Sequence, residues 1–237
     1  MTEKFTFYDF VGFFIPGAIF NLNIVIIAYF YHSLNLLEFC NGFLGSVIFI
    51  ISSYIIGHLI QEIGYLITKR YSTYKVRLSH LFLCYSDVHF SEDFKKQLLL
   101  FLTSSFLGNE TEFNPEDDPR TSTLLFSLCY AFVVDNGIGK RAENYNGLFA
   151  LSRGLFTVSG ICMIIHVGVF FFDIISEYRL SGTIRMQNAY LDSLLMGFVF
   201  VIFIIVFKKR FNDYSRRFVD AVYRSFYVYQ KTLVNKE

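Results

Sequence analysis

The chain has 237 residues, 54% of them hydrophobic and only 17% charged, with a net charge of +1 and a mean hydropathy of +0.43. A soluble domain carries about a quarter charged residues, so the composition points away from that class, and so small a net charge offers no basic field for nucleic acid. Four scattered cysteines, Cys40, Cys84, Cys129 and Cys162, with no C-x-x-C, exclude a small disulfide scaffold.

The first predicted element is an apolar run from about Phe10 to Tyr31, long enough to span a bilayer, which takes about 20 residues. It does not read as a cleaved signal peptide. Lys4 is accompanied by Glu3 and Asp9, and no small-x-small site follows. Pro16-Gly17 lies inside the run. Either the helix kinks there, or a short interfacial helix capped by Thr6-x-x-Asp9 precedes a span that begins at Pro16. Trp is absent from the chain, so the interfacial aromatic role falls to Tyr and Phe.

The second span runs from about Phe43 to Ile67. At helical spacing Ser46, Ser53, Gly57, Gln61 and Gly64 share one sector, flanked by Tyr54 and His58, while Ile56, Leu59, Ile60, Ile63 and Ile67 take the other side. Small residues let another backbone approach and amides bond across it, so this stripe is expected to be a helix–helix interface or a pore lining. Glu62 lies one turn below His58. H-x-x-x-E is not the H-E-x-x-H zinc pattern, and no catalytic residue is assigned. Lys69 and Arg70 mark the exit from the membrane.

Residues 68–153 are too many for a loop and are expected to form a cytosolic helical domain. Ser91 to Phe106 opens with a Ser cap and two acids and reads as an amphipathic helix. Asn109 to Arg120 reads as an acidic linker and Thr121 to Val134 as a buried helix, ended by the turn "NGIGK". From Arg141 a helix resumes and leads into the third span. His80, Cys84, Asp87 and His89 are all metal-capable, but their spacing is not that of a zinc site, and no metal or cofactor is assigned. "DNGIGK" lacks the spacing of a Walker A loop, and a D-x-G-x-G ATPase box would need a sheet this chain has no strands to build.

The third span runs from about Gly154, just past Arg153, to Ile175. Ser159, Cys162, His166 and Asp173 fall on one face of it. His58 and His166 lie at similar depth by residue count. They form either a pair for proton or metal traffic or two neutral rings, each bonded to a neighbouring helix. The fourth span, about Tyr190 to Phe207, ends at Lys208, Lys209 and Arg210. Beyond it residues 210–237 form an amphipathic helix with Phe211, Phe218, Val222, Phe226, Tyr229 and Leu233 on one face.

The fold class expected is therefore all-α: a transmembrane hairpin over 1–67, a helical domain over 68–153, a second hairpin over 154–209 and a C-terminal helix. Basic residues cluster after the second span, before the third and after the fourth, which predicts both termini and the middle domain on the cytoplasmic side of the inner membrane. On that side the sequon Asn109-Glu110-Thr111 is a chance match.

With "YDFVGFFIPG" (Tyr8 to Gly17), Gly57-His58 and the Arg153 entry to the third span, the whole-chain layout resembles small multi-pass membrane proteins of prokaryotic anti-phage defence systems. The resemblance implies a cytosolic part that senses or binds a soluble partner, and spans that form a homo-oligomer and perturb the envelope in a channel-like way. It carries over no catalytic residue. The alternative expectation is a non-conducting anchor that recruits a soluble protein. A third is a membrane-embedded enzyme in which His58, Glu62 and His166 converge on one cavity.

Overall fold

The computed structural model describes residues 10–30, 42–71, 78–108, 113–181 and 188–235. Every regular element among them is helical. A π-helical turn, Phe10–Phe14, leads into α1 (Ile15–Phe30), followed by α2 (Phe43–Tyr71), the short α3 (Leu78–Leu81), α4 (Glu92–Phe106), α5 (Pro119–Asp135), α6 (Lys140–Ser181) and α7 (Asn188–Val234). Four helical stretches are long and apolar enough to cross a membrane: Phe10–Ala28, Phe43–Lys69, Lys140–Arg179 and Leu191–Val234. The architecture is that of a multi-pass membrane protein. The Thr6–Asp9 cap and the sequon lie outside the described residues, as do Cys40, Lys75, Arg77 and Arg185.

The entry to the first span combines the two sequence alternatives. Phe10–Phe14 is neither a separate helix nor a simple kink. It is a π turn running directly into α1, whose second residue is Pro16. Proline has no N–H to give to a preceding carbonyl and its ring crowds the turn before it, and the wider π ring accommodates both.

At 42 and 47 residues α6 and α7 are about twice the length a span needs. No proline interrupts either, so each carries an apolar stretch and a polar extension without a break. The chain divides into two compact units: Met1–Arg70 with Gly147–Asn212, and Tyr71–Asn146 with Asp213–Glu237. This differs from the four segments expected. From Gly147 onward α6 belongs with the spans, where Ala150 and Arg153 bond to Gln61 of α2, while its first two turns belong to the second unit. Residues beyond Asp213 are no separate tail. They supply Val222, Tyr223 and Phe226 to the core of the second unit, each fully buried.

That core also takes Leu83, Leu98, Leu102, Leu125, Cys129 and Val133, every one at 0% exposure. Phe106 stacks on Phe226 at 5.6 Å, while Phe132 meets Phe226 and Phe126 meets Tyr223 edge-on. Helix starts follow from caps. Ser91 Oγ accepts the Phe94 N–H, and Asp118 Oδ1 accepts the N–H groups of Arg120 and Thr121. The second cap corrects the expected linker: Asp118-Pro119-Arg120 is the cap and first turn of α5, with proline where a helix tolerates it best. At the other end α5 stops at Asn136, and Gly137 turns the chain with φ +69°.

Candidate functional site

The spans are held together where backbones meet. A Cβ added at Gly17 would fall on Ser53 O and the Gly57 nitrogen, and one added at Gly57 would fall on Phe13 O. Only glycine fits between α2 and the start of the first span. Two turns further along α2, Gly64 lies against Thr157 and Arg153 of α6. Such close approach brings polar groups within bonding reach, and three helical segments meet at Gln61.

Gln61 is 4% exposed, and its amide is fully used. Its Nε2 donates to Gly12 O at 2.5 Å and to Ala150 O at 2.7 Å, and its Oε1 accepts Arg153 Nε–H at 2.9 Å. Those carbonyls precede Pro16 and Gly154 by four residues. Pro16 has no N–H to offer Gly12 O, so Gln61 supplies the missing donor from the neighbouring helix. Arg153 also lies over the Phe149 ring at 5.6 Å, which with the Gln61 bond sets the direction of its guanidinium.

Beside this node is a cavity of about 440 Å³ lined by Phe13, His58, Gln61, Glu62, Tyr65 and Arg153. His58 is exposed; its ring stacks on Phe13 at 4.0 Å and takes Tyr54 edge-on at 4.6 Å. Its ring nitrogens bond to no described residue, and neither does the exposed Glu62 carboxylate. Lys69 lies over the Tyr65 ring at 5.9 Å. A larger cavity of about 650 Å³ between α6 and α7 is apolar apart from Asp192, and is lined by Met163, Val167, Leu195 and Phe198 among others.

No family model, curated protein or solved structure matches this chain.

Of the stripe on α2, Ser53, Gly57, Gln61 and Gly64 are all buried among the spans of their own chain, with Ser53 Oγ accepting from Asn21 Nδ2 at 2.9 Å. Ser46 departs from it. It is exposed and bonds only back to Gly42 O, since α1 and α2 approach most closely around Gly17 and Gly57, well beyond it. On α6, Ser159 donates to Leu155 O of its own helix, Cys162 joins an apolar cluster with Ile60, Leu155, Val158 and Phe200, and Asp173 is half-buried. Lys69, Lys208, Lys209 and Arg210 are exposed; the Arg70 side chain lies outside the described residues.

The two histidines have separate partners. His166 is 1% exposed, bonds through Nε2 to Asn23 Oδ1 at 2.9 Å, and stacks on Phe200 at 5.7 Å. It does not line the cavity that holds His58 and Glu62. Its Nδ1 and the Nδ2 of Asn23 make no hydrogen bond. Asn21 and Asn23 are the residues that sequence reasoning missed here. The available signal was two amides, one residue apart, in an otherwise apolar run.

In the second unit the metal-capable residues contact near neighbours. Cys84 Sγ lies 3.3 Å from His80 Nε2, and His80 Nδ1 is 3.1 Å from Ser122 Oγ. The order resembles a nucleophilic dyad with an orienting group, but the electrostatics oppose it. Burial, and then the nearby Glu116, push the Cys84 thiol up to about 11, so the reactive thiolate is suppressed. Lys95 is 1% exposed, and its ammonium donates to Cys84 O at 2.5 Å and to Asp87 O, pinning the turn between α3 and α4. His89 Nε2 meets Asp220 Oδ1 at 3.0 Å on the rim. Among the described residues no three His, Cys, Asp or Glu side chains group as a metal site requires.

Proposed function

We propose that this protein is a non-conducting inner-membrane anchor and relay. Its spans hold the second unit on the cytoplasmic side, that unit receives a soluble protein partner, and α6 and α7 pass the change in its state to the spans. The observation that carries this reading is helix continuity. Residues 146 and 147 both lie inside α6 and residues 212 and 213 both lie inside α7, so neither boundary between the units falls in a loop. A helix without a hinge transmits displacement, whereas a flexible linker absorbs it.

Two further features support it. Gln61 and the Asn23–His166 pair point into their own chain, and although Ser46, His58 and Glu62 are exposed, outward positions such as Ile51, Ile55, Leu59, Phe172, Phe198 and Ile205 are apolar. That distribution suits lipid better than a water-filled lumen. The second unit exposes Val88, Leu100, Leu124 and Val228, apolar surface of the kind a protein partner covers. The defence-type, oligomeric and membrane-perturbing reading differs in one measurable respect, since it requires leak.

The test uses the full chain reconstituted in dye-loaded vesicles and in detergent. No dye release is expected. Hydrogen exchange in α1 and α2 should change when the second unit is perturbed, and that response should vanish when three glycines are inserted both between Asn146 and Gly147 and between Asn212 and Asp213. Dye release would sink the non-conducting half. A response that survives the glycine insertions would sink the relay.

A further inference from the structure

We infer that the apolar cavity between α6 and α7 binds a cationic amphiphile, a molecule with one protonated amine at the end of an extended hydrocarbon body, and that Asp192 holds the amine. The inference rests on the membrane reading of the spans and is independent of the soluble partner and of the relay.

The cavity, about 650 Å³, falls in the range that encloses a drug-sized ligand. Its lining is divided. Asp192 stands at one end, and from there to Val201 the lining advances nine residues along α7, about 14 Å, through apolar side chains and Gly197 alone. Met163 and Val167 of α6 close the opposite side. Leu195 and Phe198 are 62% and 63% exposed, so the cavity opens on the flank of the unit, the side from which a molecule dissolved in a bilayer would enter.

A carboxylate on a spanning helix pairs with another polar group or marks the path of a ligand. Asp192 is half-buried and has no hydrogen bond or ion pair among the described residues. A carboxylate only accepts, so its partner must carry N–H or O–H donors, and an ammonium carries them together with the opposite charge. An alkylamine is charged at neutral pH, as the lysine side chain is. The lining therefore matches a molecule charged at one end and apolar along the rest. A fatty acid would bring a second carboxylate to Asp192. A phospholipid would bring a phosphate, and no residue of the lining is basic. A neutral alcohol would fill the apolar part and leave Asp192 without an opposite charge.

The experiment exchanges the purified full chain, in a nonionic detergent, against dodecylamine, dodecanol and dodecanoic acid in equal amounts. Native mass spectrometry then measures what the chain retains. Dodecylamine should be retained about tenfold over the alcohol, the contribution of one charge-assisted bond, and the acid should be retained least. Asp192→Asn should bring dodecylamine down to the level of the alcohol and leave the alcohol unchanged. Gly197→Val tests the place. A Cβ there meets only His166 Cβ at 3.8 Å and Val167 Cγ2 at 3.9 Å, both ordinary contacts, so the larger side chain narrows the cavity and should lower retention of all three. Melting temperatures control for folding, and Asp192→Asn, which keeps the shape of the side chain, decides if Gly197→Val does not fold. Equal retention of the three amphiphiles by the unaltered chain would make the cavity a general groove for lipid tails and overturn the inference. So would an unchanged preference in Asp192→Asn, undiminished retention in a folded Gly197→Val, or displacement of dodecylamine by phosphatidylethanolamine at equal concentration.

Discussion

The two units of this chain solve the same packing problem with different chemistry. The spanning unit is joined by glycine and amides: Gly17 and Gly57 bring backbones together, and Gln61 ties Gly12, Ala150 and Arg153 to one side chain. The second unit is joined by rings and leucines, with Tyr223, Phe226, Leu98, Leu102 and Leu125 fully buried in one cluster. On the proposed placement, spans in lipid and second unit in water, the difference follows from the solvent. Lipid tails are as apolar as leucine, so burial of apolar surface does little to bring spans together, and backbone approach and hydrogen bonding must do it. In water the removal of apolar surface is itself the driving force.

The largest effect is expected where that driving force is concentrated. Phe226→Ala empties a fully buried site that contacts Phe106 and Phe132, and should cost the second unit about 3–5 kcal/mol. Thiol labelling reads it. Cys84 and Cys129 are buried, and burial holds both thiols well above their ordinary range, so neither should react at neutral pH until the unit opens. In a Cys40→Ser background the variant should label at those two positions and spare Cys162 of the spans. Labelling of all three together would show that the units share one cooperative transition.

The next effects sharpen the other side. Gly57→Ala places a methyl on Phe13 O and should destabilise the spans by about 1–3 kcal/mol, visible as a lower melting temperature in detergent. Gln61→Leu removes three bonds, each worth about 0.6–2 kcal/mol in a bilayer setting, among them the donor to Gly12 O that Pro16 cannot supply. If both substitutions were silent while Phe226→Ala unfolded its unit, the spans would be held by ordinary side-chain packing and the contrast would collapse. A smaller loss, about 1 kcal/mol, is expected for Tyr223→Phe, which deletes only the hydroxyl donated to Ser79 O at 2.7 Å. Chemical denaturation followed by aromatic circular dichroism measures it.

How much of this was legible in sequence follows the same divide. Spans are visible because lipid imposes about 20 apolar residues on each, and the glycine and amide stripe on α2 is visible because its spacing is helical. What Gln61 reaches was not visible. Its acceptors, Gly12 O and Ala150 O, are backbone atoms 49 and 89 residues away, and backbone carbonyls leave no mark on residue type. The burial of Lys95 was not visible for a related reason: only the turn at Cys84 and Asp87 gives its ammonium acceptors inside. The C-terminal helix showed its apolar face plainly, but an amphipathic stripe does not say what covers it. Nor does the sequence show that Glu62 and Arg153, 91 positions apart, line one cavity.

The smallest effect expected is at the cap of α5, and its sign follows from the hydrogen bonds. The Asp118 carboxylate accepts from the Thr121 hydroxyl and N–H and from the Arg120 N–H, and these bonds hold it below its ordinary value of 3.8. A carboxylate with a lowered value in the folded state stabilises above its unfolded value, and that contribution is lost as pH falls through the folded one. Full solvent exposure keeps the effect local. Below about pH 3.8, hydrogen-exchange protection of the Arg120, Thr121 and Ser122 amides should therefore decline before that of the Leu125–Val133 core. Asp118→Asn should flatten this pH dependence while keeping the cap, because an amide oxygen still accepts from the same N–H groups. Amides around Ser53, whose side chain bonds to an uncharged amide of α1, should show no such step. A step of equal size there would mean that acid acts on both units through a common opening, and the cap would no longer distinguish a unit stabilised at its charged rim from one stabilised inside lipid.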